Sequence, residues 1–164
     1  MKTCMFSLVF IISLFCFSSF SFSGPEKKHE FTGANKCKMC HKAEYVQWQK
    51  TAHANAFKTL ASPEAAKYSK DAQKDVACLK CHVTGFGEAG KIVAEDGVQC
   101  ESCHGAGKDY STNKIMKDKK LAAGNGLVIP SEDRCKECHN KQSPTFKEFD
   151  FKVFHAKVMH KEVK

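Results

Sequence analysis

Four copies of the pattern Cys-x-x-Cys-His constrain what this chain can fold into more than any other feature. They occupy Cys37–His41, Cys78–His82, Cys100–His104 and Cys135–His139, and are called motifs 1 to 4 below. Two thiols at this spacing attach covalently to the edge of a haem, and the histidine that follows binds the iron as an axial ligand. The sequence therefore predicts four covalently bound haem c groups.

The cysteine count supports this prediction. Eight of the ten cysteines lie in the motifs, and the other two, Cys4 and Cys16, lie near the N-terminus. Disulfides, redox dithiols or two structural zinc sites would also use Cys-x-x-Cys pairs. They do not explain a histidine after every pair: histidine is 8 of 164 residues, so four such followers arise by chance on the order of once in 10⁵. The predicted attachment residues are Cys37, Cys40, Cys78, Cys81, Cys100, Cys103, Cys135 and Cys138.

The N-terminal segment has the composition of a secretory signal peptide. Lys2 precedes an apolar run over residues 5–17, and the segment closes with Ser21-Phe22-Ser23, which ends in a small residue. An uncleaved membrane anchor is the alternative, but the run is interrupted by serine and short against the roughly 20 residues that a span needs. We therefore expect residues 1–23 to be a signal peptide, residues 24–164 to be a tetrahaem cytochrome c domain, and the protein to be periplasmic or otherwise exported.

The formal charge of +8 invites a nucleic-acid interpretation. Export would separate the chain from nucleic acid, and haem propionates would offset most of the excess charge. Surface lysines are then a solvated face that could dock a redox partner. The porphyrins would also supply apolar surface that so small a chain lacks, so we expect the haem-free chain to be largely unfolded.

The pattern between the motifs predicts a mainly α, single-domain, haem-packed fold with little or no sheet. An apolar stripe from Tyr45 to Leu60 predicts a helix, and Ser62-Pro63 predicts a second one that ends near Lys74. Residues 108–130 are polar and lysine-rich, which predicts a surface excursion with a turn at 124–126. Ser131 is expected to cap the helix of motif 4, and a terminal helix is expected to start near residues 149–150.

The eight histidines divide into two groups. His41, His82, His104 and His139 are the predicted proximal ligands, and His29, His53, His155 and His160 remain. His53 lies on the apolar face of the predicted helix, where an unligated imidazole would need another partner, so it is a candidate distal ligand. His155 and His160 are five residues apart and point in different directions on a helix, so they cannot bind the same iron.

Residues within and between the motifs resemble the cytochrome c-554 family, the tetrahaem electron carriers of ammonia-oxidising bacteria. The resemblance covers most of the chain after the signal segment. It is carried by the residues of motif 1 onward to Leu60, by Cys81-His82-Val83 with Gly85-Phe86-Gly87, by 97–105, by 134–139, by Ser143-Pro144, and by Phe149-Asp150 with Met159-His160.

The resemblance implies a helical fold whose haems stack in pairs. It also implies that His53 and His160 are distal ligands and that the haem of His82 is five-coordinate. The family has a third distal histidine shortly after motif 3, where this chain has Lys114 and no histidine. His155 and His29, which have no counterpart in the family, are the candidates to replace it. On this basis we expect His104 to belong to the haem without its usual distal histidine.

Two functional hypotheses follow. The first is an exported carrier that relays electrons between a redox-protein donor and acceptor, because irons bound by two histidines have no site for substrate. The second is a reductase of a small nitrogen oxide at an open iron above His82. No further acid–base constellation accompanies the motifs, so the sequence favours the carrier.

Overall fold

The protein is described here by a computed structural model, which covers residues 28–88, 90 and 93–160. The predicted signal peptide, residues 1–23, lies outside the described residues. Within them the helices are α1 (Ala34–Lys38), α2 (Lys42–Gln49), α3 (Ala56–Thr59), α4 (Val76–His82), α5 (Cys100–His104), α6 (Asn113–Met116), α7 (Lys119–Gly124), α8 (Glu132–Lys136) and α9 (Phe151–Val158). Single turns of 3₁₀ helix lie at His53–Asn55, Ala65–Lys67 and Ala94–Asp96.

Sheet structure is almost absent from the described part of the chain. It consists there of one isolated parallel bridge between Phe31 and Gly90. The prediction of a mainly α fold with little or no sheet is confirmed. None of the helices in the described ranges is long and apolar enough to cross a membrane.

The helix predicted from Tyr45 to Leu60 is interrupted. α2 ends at Gln49, and the chain passes through the 3₁₀ turn at 53–55 before α3 begins. The Thr51 hydroxyl donates to the Trp48 carbonyl oxygen at 2.7 Å, and the Thr51 amide bonds the same oxygen at 2.9 Å. A threonine that bonds its own local backbone competes with the helix. The prediction of a continuous helix was therefore wrong.

Two other segments also differ from the prediction. The helix expected up to Lys74 is only the turn at 65–67, and the Asp71 carbonyl closes a further turn by accepting from the amides of Lys74 and Asp75. The supposed surface excursion at 108–130 contains α6 and α7. Its Ala122 is fully buried and its Tyr110 nearly so.

Caps place the last two helices where the sequence predicts them. Ser131 Oγ accepts from the Arg134 amide at the start of α8. Asp150 Oδ1 accepts from the Val153 amide at 3.1 Å, which fixes the start of α9. A side chain that accepts from the first free amides of a helix stabilises that end.

The apolar core is small. It consists of Leu60, Ala72, Leu79 and Val83, with Phe57, Ala65, Cys78 and Ala94 packed against it. Leu79 and Cys78 belong to motif 2, so this apolar cluster supports that motif directly.

A second buried cluster is polar and lies beside motif 3. Thr84, Gln99 and Glu101 are each at most 2% exposed. The Gln99 amide donates to Thr84 Oγ1 at 2.6 Å, and Gln99 Oε1 accepts from the Ala34 amide at 2.7 Å. This polar cluster joins the segment before motif 1 to the segment before motif 3.

Candidate haem sites

Each motif lies on one helical turn. Motif 2 ends α4, motif 3 forms the whole of α5, and motifs 1 and 4 begin in α1 and α8 and continue into the turn that follows. The amide of His41 bonds the Cys37 carbonyl at 2.9 Å, and that of His139 bonds the Cys135 carbonyl at 3.0 Å. Residues three and four apart lie on the same face of a helix. Each motif therefore presents two thiols and an imidazole to one side.

Hydrogen bonds orient two of the proximal histidines. His82 Nδ1 lies 2.8 Å from the Ala56 carbonyl oxygen, and His104 Nδ1 lies 3.1 Å from the Val128 carbonyl oxygen. Because a carbonyl oxygen can only accept, Nδ1 carries the proton and donates to it, which leaves the lone pair of Nε2 free. Metal-binding histidines have this arrangement.

Two pairs of histidine rings, each from distant parts of the sequence, lie close together and are called the facing pairs below. The ring centres of His53 and His139 are 6.0 Å apart, and those of His104 and His160 are 6.5 Å apart. Metal–imidazole bonds of about 2 Å would place the centres of two imidazoles on opposite sides of one ion about 6 Å apart. Both pairs therefore have the spacing that a shared metal ion requires.

The protonation of these histidines also suits a metal. Burial lowers the pKa of His53, His104 and His139 below the ordinary histidine value, and the His139 charge lowers that of His53 further. A neutral imidazole is the form that binds metals. His160 Nδ1 is buried and has no hydrogen-bond partner among the described residues. A buried polar atom of this kind is costly unless a ligand satisfies it.

The motifs lie in two pairs. Cys37 lies beside Cys100, and this neighbouring thiol, together with burial, raises the pKa of Cys37. Burial, together with the neighbouring Cys81, raises the pKa of Cys138 to about 12. Motif 1 thus adjoins motif 3, and motif 2 adjoins motif 4. We call these motif pair 1/3 and motif pair 2/4.

The missing histidine after motif 3 left the distal ligand of the His104 iron open, with His155 and His29 as the candidates. The structure places the ring of His160 beside that of His104, with ring centres 6.5 Å apart. Within the described part of the chain, His41 and His82 are the motif histidines without a second histidine ring beside them. Each motif pair therefore contains one histidine pair and one motif histidine without such a partner.

The two remaining histidines lie elsewhere. The ring of His155 stacks on Phe151 within α9, with ring centres 4.9 Å apart. His29 Nδ1 lies 2.7 Å from Asp109 Oδ2, and its ring packs on Gly126. Neither contact joins a motif histidine, so the assignment of His155 as an axial ligand stays a prediction.

Sequence reasoning missed several residues that support the sites. Phe149 stacks on the His139 ring, with centres 4.7 Å apart. Arg134 Nε donates to the Ser102 carbonyl at 2.9 Å and so connects motif 4 to motif 3. The density of aromatic residues at 146–154 was a signal for the first contact; the second had none.

Comparison with known proteins shows which family the chain belongs to. The family described as cytochrome c554 and c-prime matches residues 36–105. Cytochrome c-554 of Nitrosomonas europaea is 35% identical over 136 residues, which are 66% of this chain and 57% of that protein. The solved reduced state of cytochrome c554 from Nitrosomonas europaea aligns with a TM-score of 0.59 and 32% identity, over 82% of this chain and 80% of that one. The chain belongs to the cytochrome c-554 family.

Membership of the cytochrome c-554 family implies covalently bound haem c. The chain spans 57% of the length of the curated relative. A second likeness, to the DnaJ protein homolog XDJ1 of Saccharomyces cerevisiae, is 33% identical over 75 residues but covers only 15% of that protein. That share is too small to show a family.

The residues present fit haem c. The two histidine pairs have the separation that an iron between them requires, and the buried His160 Nδ1 is a polar atom without a partner. The motif thiols in the described part of the chain form no disulfides and are available for attachment.

Proposed function

We propose that this chain is an exported electron carrier that holds four haem c groups. The observation that carries the proposal is the two pairs of neighbouring imidazoles, His53–His139 and His104–His160, with ring centres 6.0 and 6.5 Å apart. An iron with two imidazole ligands has no position left for substrate, and such sites exchange electrons without binding one.

The residues divide into attachment and ligand roles. Attachment falls to the eight motif cysteines, and proximal ligation to His41, His82, His104 and His139. His53 completes the site of motif 4, and His160 completes that of motif 3. His155 is the candidate distal ligand for one of the two other irons, with His29 as the alternative.

When bound, haem c supplies an iron that cycles between the ferric and ferrous states. The residues of the chain itself fix the orientation of the histidine ligands. Carbonyl oxygens of Ala56 and Val128 fix the rings of His82 and His104, and Phe149 packs on His139. Rings fixed before an electron arrives need little rearrangement afterwards.

The arrangement in motif pairs supports a relay. Cys37 of motif 1 lies beside Cys100 of motif 3, and Cys81 of motif 2 lies beside Cys138 of motif 4. The hydrogen bond from Arg134 Nε to the Ser102 carbonyl also brings motif 4 next to motif 3. Electrons could then pass through the protein in short steps from a donor redox protein to an acceptor. The likeness to named cytochromes supports this carrier and gives no support to the nitrogen-oxide reductase.

The decisive experiment counts haems and their spin states. Intact mass of the purified protein should exceed that of the mature chain by four haems, and the start of that chain should fall at residue 24. Electron paramagnetic resonance of the oxidised protein should then show low-spin signals for the two histidine pairs. A protein without c-type absorption, or one whose haems are all high-spin, would refute the carrier.

A further inference from the structure

Glu101 is the buried charged residue in the described part of the molecule. It is 1% exposed although it carries a carboxylate. It lies inside motif 3, between the two attachment cysteines Cys100 and Cys103. An ionised carboxylate is seldom buried unless its oxygens are satisfied, so its surroundings need an explanation.

Three backbone amides satisfy the Glu101 carboxylate. Oε1 accepts from the amides of Thr32 at 2.8 Å and Gly107 at 2.6 Å, and Oε2 accepts from the amide of Gly33 at 2.7 Å. All three partners are donors, which is the environment of the ionised form. The close approach depends on glycine at 107, since a Cβ there would lie 2.9 Å from Oε1.

Backbone amides stabilise the carboxylate but do not cancel its charge. In the described part of the chain no lysine or arginine forms a salt bridge with Glu101. Glu101 directly follows Cys100 of motif 3, and the Thr32 and Gly33 amides that bond it lie just before α1, which carries Cys37 of motif 1. The carboxylate therefore lies beside both motifs of pair 1/3. Its charge also opposes ionisation of both thiols, although the thiols' effect on each other is larger and leaves the pKa of Cys37 raised and that of Cys100 lowered.

Motif pair 2/4 contains a contrasting group. Glu137 occupies the spacer of motif 4 between Cys135 and Cys138, but it is exposed and pairs with Arg134 at 3.0 Å. The Arg134 charge favours the thiolate of Cys138 in motif 4 and, more widely, also that of Cys103 in motif 3. The contrast between the pairs therefore lies in the two carboxylates: Glu137 is exposed and paired with Arg134, whereas Glu101 is buried and forms no salt bridge within the described residues.

We propose that Glu101 sets the reduction potentials of motif pair 1/3 and makes it the lower-potential half of the protein. This inference rests on the proposed haem content. Reduction adds one electron to a ferric iron and lowers the charge of the site by one. A fixed negative charge in a poorly solvated position opposes that addition more than it would in water. An electron from a donor protein would then pass from pair 1/3 towards pair 2/4.

The test compares Glu101→Gln with Glu137→Gln in the full haem-loaded protein. Optical titration in an electrochemical cell should show that Glu101→Gln raises the potentials of two haems. At a fixed potential their reduced-to-oxidised ratio should rise about tenfold, or about 59 mV for one electron. Glu137→Gln should change that ratio less than about twofold, since solvent screens an exposed carboxylate.

Several outcomes would overturn the inference while leaving the carrier intact. The inference fails if Glu101→Gln leaves the haem potentials unchanged or shifts all four of them equally. It also fails if Glu101→Gln shifts the potentials no more than Glu137→Gln does. A purely structural role would lower the thermal stability of Glu101→Gln without shifting its potentials. A wild-type protein without c-type absorption would instead refute the proposed function itself.

A second measurement leaves Glu101 in place, in case the glutamine variant does not fold. Methionine as a distal ligand raises the potential of the haem that it binds. His160→Met should therefore move one potential that belongs to pair 1/3, and His53→Met one that belongs to pair 2/4. The haem that responds to His160→Met should start from the lower potential, and the reverse order would contradict the inference.

Discussion

Motif pairs 1/3 and 2/4 have the same layout but are built from different interactions. Each contains one facing histidine pair and one motif histidine without such a partner. Pair 1/3 is held by hydrogen bonds from backbone amides to Glu101 and Gln99. Pair 2/4 is held by the apolar cluster around Leu79 and by Phe149 stacked on His139.

The difference shows that a site for a large prosthetic group can be supported in two ways. Next to motif 2 the chain has large apolar side chains that exclude water and fill space. Next to motif 3 it has glycine and small residues, and the backbone itself approaches a buried carboxylate. The apolar support stabilises through buried area, whereas the polar support depends on each hydrogen bond being made.

Removal of all haem should unfold the chain around both motif pairs. In the described part of the chain the apolar cluster has four buried members, Leu60, Ala72, Leu79 and Val83. So small a core cannot offset the conformational entropy of the chain. A variant with serine at all eight motif cysteines should show no cooperative thermal transition by far-UV circular dichroism. A cooperative transition in that variant would show that the polypeptide folds unaided.

Removal of a distal histidine should affect one haem in one pair. His160→Ala should convert one low-spin haem of pair 1/3 to high spin, because it removes the imidazole beside His104. His53→Ala should do the same in pair 2/4, because it removes the imidazole beside His139. Electron paramagnetic resonance would count the change. His155→Ala is the matched variant: a loss of a low-spin signal would establish His155 as a ligand, and an unchanged spectrum would exclude it.

Truncation of Leu79 should weaken pair 2/4 specifically. Leu79 is buried in the apolar cluster, and Leu→Ala in such a place costs about 2–5 kcal/mol of unfolding free energy. Denaturant titration of the haem-loaded protein would measure it. Leu121→Ala removes the same atoms from an exposed position and should change stability by less than about 0.5 kcal/mol. Equal effects of the two substitutions would contradict the role given to the cluster.

Sequence reasoning was most reliable where covalent spacing or a local cap decides the structure. The motifs lie on helical turns, Ser131 caps α8, and α9 starts after Asp150. Sequence reasoning failed at Thr51. The apolar residues keep their helical spacing on both sides of this position, although the Thr51 hydroxyl stabilises a break in the helix by bonding the Trp48 carbonyl.

Contacts between segments that are far apart in the sequence could not be predicted either. No local pattern tells that His160 lies against His104, because that contact depends on how α9 returns to the body of the protein. Sequence order also does not tell which motifs lie side by side. Motif 3 follows motif 2 closely in sequence, yet Cys37 of motif 1 lies beside Cys100 of motif 3, and Cys81 of motif 2 lies beside Cys138 of motif 4.

The two histidine pairs have a consequence for how the protein is made. His53 and His104 are synthesised early, and their partners His139 and His160 come from the last part of the chain. A chain that stops before His139 lacks one member of each pair. A truncated product that ends between His104 and His139 would keep motifs 1 to 3 for haem attachment but contain neither facing pair. Such a product would be coloured, yet its spectrum would differ from that of the complete protein.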